Sequence, residues 1–122
     1  MKDSKLIDPS VWIAYFFNGM HKEIIDSDEM LLLSVLSLFE IRKSLSKNKI
    51  AEDKIKKSME FVKRRSLIIE VNTEIAEKAV DFSLENGLPI IDSIIYATSV
   101  MNESILVTLD NDFRGLKGVV LK

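Results

Sequence analysis

Five carboxylates stand where a strand should end or a helix should begin: Asp8, Glu40, Asp92, Asp110 and Asp112. They are scattered along the chain, but the strand ends of an α/β sheet converge, and the crevice at their carboxyl ends is where ligands bind. Acids gathered there repel one another, which is costly unless a cation neutralises them. Hard oxygen ligands of this kind suit Mg2+ or Mn2+. Such a site activates a water and stabilises the charge that develops in a phosphoryl displacement.

Each acid also has an ordinary explanation. Asp8 and Asp92 sit where helix caps and first-turn acids are favoured. Asp110 and Asp112 alternate as turn residues do, and no glycine and bidentate glutamate follow at calcium-loop spacing. Glu40 could lie on a polar stripe. It is, however, the only acid in its helix, between Phe39 and Ile41.

The elements that would position these acids alternate in type. Lys5 to Asp8 reads as a first strand, and Pro9 suits the first turn of a helix over Ser10 to Phe17, stopped by Asn18-Gly19. The segment 20–28 is ambiguous. Met30 to Leu33 is a continuous apolar run, as a buried parallel strand should be, and Ser34 can cap a helix over Val35 to Lys47. Glu52 to Arg65 is amphipathic, with Ile55, Met59 and Val62 on one stripe. Leu67 to Val71 reads as a third strand. Thr73 is the expected cap of the next helix, with Ile75, Ala76, Ala79, Val80 and Phe82 as buried candidates and Asn86-Gly87 as its end. Asp92 to Met101 reads as an apolar helix, Ser104 to Thr108 as a fourth strand and Val119 to Leu121 as a short fifth. Alternation of this kind predicts an α/β fold, a parallel sheet of four to five strands with right-handed crossovers and flanking helices.

The 122 residues suit one domain over 1–122, with 47 % hydrophobic and 30 % charged residues as in a soluble globular protein. The absence of cysteine rules out disulfides and thiolate metal sites and fits a reducing cytoplasm. The first ten residues lack the apolar core of a signal peptide, and the richest apolar run, Met30 to Ile41, is too short to span a bilayer. Net charge is −2, yet Arg42 to Arg65 holds ten basic and three acidic residues, a local +7. That segment is either a solvated helical hairpin or a phosphate-facing surface. The single histidine, His21, reads as a surface loop residue. In the first helix Trp12, Tyr15, Phe16 and Phe17 cannot all face inward, so part of that surface is a candidate contact with a second copy or another protein.

Taken in order, Ile7-Asp8-Pro9-Ser10-Val11, Ser34-x-x-Ser37-x-x-Glu40, Asp92-Ser93-x-Ile95-x-Ala97-Thr98 and Thr108-Leu109-Asp110-Asn111-Asp112-Phe113 resemble the PIN-domain nucleases, VapC-type toxins of toxin–antitoxin pairs most of all. The resemblance runs over essentially the whole chain. It implies a single PIN domain with a Rossmann-like sheet, and Mg2+- or Mn2+-dependent endoribonuclease activity in the cytoplasm. Asp8, Glu40, Asp92 and Asp110 match the family's acidic site, Asp112 a less constant fifth acid, and Ser10 and Thr108 its supporting hydroxyls. A homodimer and a cognate antitoxin partner are implied as well. Pro9 departs from the usual threonine and removes a backbone N–H beside Asp8. Ser93 replaces a common alanine.

On this reading Asp8, Asp92 and Asp110 bind metal, Glu40 ligates or orients the attacking water, and Asp112 assists a second ion or stays outside. Two other readings compete. A phosphoacceptor receiver domain would want paired acids after the first strand, an acceptor Asp after the third and a Lys after the fifth, whereas here Asp8 stands alone and the third strand runs into Val71-Asn72. A PIN-like RNA-processing or interaction scaffold with little activity is the other, and the intact acids argue against it.

Overall fold

Leucine- and isoleucine-rich runs form strands here because each can bury both of its faces. The structure is a computed structural model describing residues 4–122, so the expected domain start at Met1 lies outside the described residues. Strands β1 (Lys5–Ile7), β2 (Leu31–Ser34), β3 (Ser66–Ile69), β4 (Ile105–Thr108) and β5 (Val119–Leu121) form one sheet in the order β3-β2-β1-β4-β5. All four pairings are parallel. This is the expected architecture, at the upper of the two strand counts.

Alternate residues of each strand serve opposite cores. On one face Ile7, Leu31, Leu33 and Val107 pack with residues of α1 (Pro9–Asn18), α2 (Lys22–Ile25), α3 (Val35–Lys47) and α4 (Glu52–Arg65). On the other, Leu6, Leu32 and Leu106 meet Ile95 and Tyr96 of α6 (Ile90–Met101), and α5 (Thr73–Asn86) packs beside it through Ile75 and Ala79. The strands step outward from β1 to β3 under the first helical layer. The chain then returns beneath the second layer to place β4 beside β1. Strand order therefore reverses between β1 and β4, the kind of position where open α/β sheets bind ligands.

Several boundaries differ from expectation, each for a local reason. The first strand ends at Ile7 because Asp8 caps α1, which starts at Pro9. The second runs Leu31–Ser34 instead of Met30 to Leu33. The third occupies Ser66–Ile69 instead of Leu67 to Val71, since its ladder on β2 ends where Ser34 pairs Ile69 and α3 begins. Asn72, not Thr73, caps α5: its backbone is extended and its Oδ1 accepts from Ile75 N at 2.8 Å. Pro89 lets α6 start two residues before Asp92, and Ser104 N bonds the Ser99 carbonyl and closes that helix instead of opening β4. The ambiguous segment 20–28 holds the four-residue α2.

Burial corrects the readings of Ala76, Val80 and His21 and sharpens that of the first-helix aromatics. Ala76 and Val80 are exposed, not buried, while Phe82 is half-buried edge-on against Tyr96. His21 is no surface residue. The chain reverses through left-handed Gly19 and His21, and the imidazole is only 10 % exposed, its Nε2 buried without a partner. The first-helix aromatics are mostly consumed inside: Trp12 is fully buried among the rings of Tyr15, Phe16 and Phe61, and only Phe17 stands exposed.

Candidate metal centre at the carboxyl ends of β1 and β4

The crevice is built from caps. Asp8 leaves β1 in extended conformation, its N–H bonded to the Val107 carbonyl of β4 at 3.0 Å. Its Oδ2 accepts from Ser10 N at 3.1 Å and from Ser10 Oγ at 2.5 Å. The capping donor is thus the second helical N–H, so Pro9 removes a group that Asp8 never needed. Ser10 Oγ also accepts from Leu109 N at 3.0 Å, which ties the exits of the two strands together. Fully buried Thr108 accepts from Asp110 N at 3.0 Å, and its hydroxyl also reaches the Asp8 carboxylate.

Asp110 caps a single 3-10 turn, Asn111–Phe113, by accepting from Asp112 N at 2.9 Å. Phe113 is fully buried and anchors that turn. One acid therefore positions the next. Across the crevice, Asp92 lies in the first turn of α6. Ser93 beside it is buried and donates to the Pro89 and Leu88 carbonyls at 2.9 and 3.2 Å, holding the helix start. That role was not foreseen, and a buried serine in an apolar helix was its only signal. Glu40, half-buried in the second turn of α3, faces the cluster from the first helical layer.

Carboxylate oxygens of Asp92, Asp110 and Asp112 all lie within 4.8 Å of one another. Asp112, ranked last from sequence, is thus in the tightest group. Asp8 and Glu40 stand outside that trio but close enough to act on it. Burial, above all, raises the Asp8 carboxyl above its ordinary value, the Asp110 charge adds to this, and the Ser10 and Thr108 bonds oppose it. Burial likewise raises Glu40, with Asp8 and Asp110 adding and Lys43 opposing. Asp92 is pushed up to about 7 by burial, then by the charges of Asp110, Asp8 and Asp112, and by a hydrogen bond with Asp112.

Three or four carboxylates with this much unrelieved repulsion, and no thiolate or imidazole among them, form a donor set that fits a hard divalent cation. His21 is not part of it. Nor does the basic segment act as one unit. Arg65 is held by the Ile25 and Ser27 carbonyls, both at 2.7 Å, and Arg42 pairs with Glu52 at 2.7 Å.

A family model described as the PIN domain matches residues 5–119. No curated protein matches the chain significantly. Among solved structures, a toxin–antitoxin complex from Klebsiella pneumoniae superposes with a TM-score of 0.79 at 24% identity over 95% of each chain. VapBC2 from Rickettsia felis, bound to a promoter DNA fragment, gives 0.78 at 14% identity over 98% of this chain and 97% of that one. Mycobacterium tuberculosis VapC20, described as a sarcin–ricin loop cleaving toxin, gives 0.71 at 14% identity over 94% and 96%. At these identities the likenesses speak for the fold.

Proposed function

We propose that this chain, which belongs to the PIN-domain family, is a metal-dependent endoribonuclease and the toxin of a toxin–antitoxin pair. The observation that carries the reading is the meeting of Asp92, Asp110 and Asp112 within 4.8 Å beside Asp8 and Glu40, where β1 and β4 end. The likeness to VapC20, a toxin that cleaves the sarcin–ricin loop, supports RNA as substrate.

Asp8, Asp92 and Asp110 would hold Mg2+ or Mn2+, with Asp112 completing the set or holding a second ion. Bound there, the ion supplies a water that ionises near neutral pH and charge to offset the developing phosphorane. The chain's own residues do the rest. Ser10 and Thr108 keep Asp8 in one rotamer, so the site is organised before substrate arrives. Asp110 fixes the turn that carries Asp112. Glu40, held above the usual carboxylate range by burial, is suited to accept the water's proton or orient it by hydrogen bond. No histidine base is needed. RNA cleavage by the purified chain with Mg2+, with Mn2+ and with chelator, beside Asp92→Asn, tests the reading. Cleavage that survives in chelator or in the variant would remove it.

An antitoxin partner is supported by the toxin–antitoxin complexes among the structural neighbours. For the homodimer, the support moves away from the first helix. Val80, Leu84 and Ile90 are 55%, 81% and 76% exposed around a shallow groove of about 210 Å3 between α5 and α6. An apolar surface of that kind fits a second copy. Light scattering should show a dimer that Leu84→Glu splits, and an unchanged mass in the variant would move the contact elsewhere. Among the described residues no helix is long and apolar enough to cross a membrane, and the reading places the protein in the cytoplasm with its RNA.

A further inference from the structure

A second groove, of about 390 Å3, opens directly beside the acid cluster and runs down α3. Its lining includes Ile13, Phe39, Glu40, Lys43, Lys47 and Asn48. Glu40 belongs to both the groove and the acid site, so the two are continuous. Three features set this surface apart. Phe39 is 68% exposed, although α3 has buried positions at Ser37, Ile41 and Leu45. The Lys43 ammonium lies 5.7 Å from the Phe39 ring centre, a cation on an aromatic face. Lys43 and Lys47 form no salt bridge among the described residues, while Arg42 and Arg65 are tied up as described above. Of the basic segment, Lys43 and Lys47 are the cations that line the groove, with Lys43 near enough to Glu40 to act on its charge. The two lysines are spaced about 6 Å along the helix axis, close to one nucleotide step of an extended strand.

We infer that Phe39, Lys43 and Lys47 form a track for single-stranded RNA, a base stacking on Phe39 and the adjoining phosphates meeting the lysines, so that the strand leads into the acid cluster at Glu40. This rests on the RNA-cleavage reading and names how substrate is held. An aromatic face beside cations suits unpaired nucleotides, because only an unstacked base offers its face. A paired helix keeps its base faces stacked and offers this surface no ring to receive. The track therefore selects unpaired segments and carries little base preference, since every base has a stacking face.

The test uses the full chain and a labelled single-stranded RNA of about eight nucleotides, within the usual site size for one domain. Binding is read by anisotropy in chelator at low salt, and cleavage separately with Mn2+. Phe39→Ala should weaken binding by about tenfold or more and raise KM with kcat nearly unchanged, while Phe39→Trp restores both. Lys47→Gln should flatten the slope of log affinity against log salt by about 0.7. Phe39 is exposed, and unchanged melting of the variants would show that the fold is intact. If the parent binds the RNA through Phe39 yet cleaves none with any metal, the track stands and the nuclease reading falls. If the parent cleaves RNA while Phe39→Ala keeps its affinity and KM, the track falls and the nuclease reading stands. That second outcome is also the one expected if the groove serves a protein partner. Equal affinity for a duplex of the same length would overturn the track as well.

Discussion

Asp92→Asn should make the metal-free protein more stable at neutral and alkaline pH while removing its activity. Asp92 is held at about 7 against an ordinary 3.8. A group whose folded value is raised contributes stability that is fully present below the unfolded value and is lost as pH rises through the folded one. The parent therefore loses stability between about pH 4 and pH 7 as Asp92 ionises in a partly buried position and against its neighbours. Taken at face value, about three units correspond to ~4 kcal/mol. The side chain is only half-buried, and solvent screening brings this to ~1–2 kcal/mol. Asparagine keeps the shape, cannot ionise, and gives up only a few tenths of a kcal/mol of favourable charge at the α6 N-terminus. In chelator at pH 8 the variant should melt roughly 4–8 °C above the parent, and near pH 4 the two should nearly coincide. Mn2+ at about a hundred times its dissociation constant should stabilise the parent by ~2.7 kcal/mol and the variant far less. Differential scanning fluorimetry over a pH series reads all of this. A variant that melts no higher than the parent in chelator at pH 8 would refute the burial and crowding that raise Asp92.

Ser10→Ala removes the hydroxyl bond to Asp8, leaves the one from the Ser10 backbone N–H, and strands the Leu109 N–H. It should cost ~1–3 kcal/mol and, by letting Asp8 rise further, should weaken Mn2+ binding more at pH 6 than at pH 8. Calorimetry at the two pH values checks this, and Ser10→Thr should retain binding. Glu40→Gln should lower kcat by roughly 10²–10⁴-fold with little change in melting; full activity would take Glu40 out of the chemistry. Arg65→Lys leaves at least one of the Ile25 and Ser27 carbonyls without its donor. A loss of ~1–3 kcal/mol is expected in urea unfolding, and no loss would mean that water replaces the guanidinium.

Local features were legible because they depend on residues a few positions apart. Gly19 and Gly87 close their helices, Ser34 caps α3, and Ile55, Met59 and Val62 are all buried. The errors came where two residues compete for one local role. Asn72 and Thr73 can both cap, and only the backbone conformation at Asn72 decides between them. Val80 and Ala76 lie on an apolar stripe of α5 that α6 buries only at Ile75 and Ala79, so they remained outside. His21 looked like any polar residue in a glycine-containing loop, and its burial comes from a left-handed reversal that composition does not encode.

By itself the sequence determined the alternating elements, the all-parallel sheet and the set of acids, because periodicity, caps and breakers act within a turn or a strand. It could not rank those acids. Asp8 and Asp110 are a hundred residues apart and became neighbours only because α5 and α6 carry the chain back to set β4 against β1. Asp112 looked the weakest of the five, and the Asp110 cap and the buried Phe113 brought it within 4.8 Å of Asp92. Those distances, and the burial and repulsion that raise Asp92, arise from how the strands and helices pack, which no local stretch of sequence specifies.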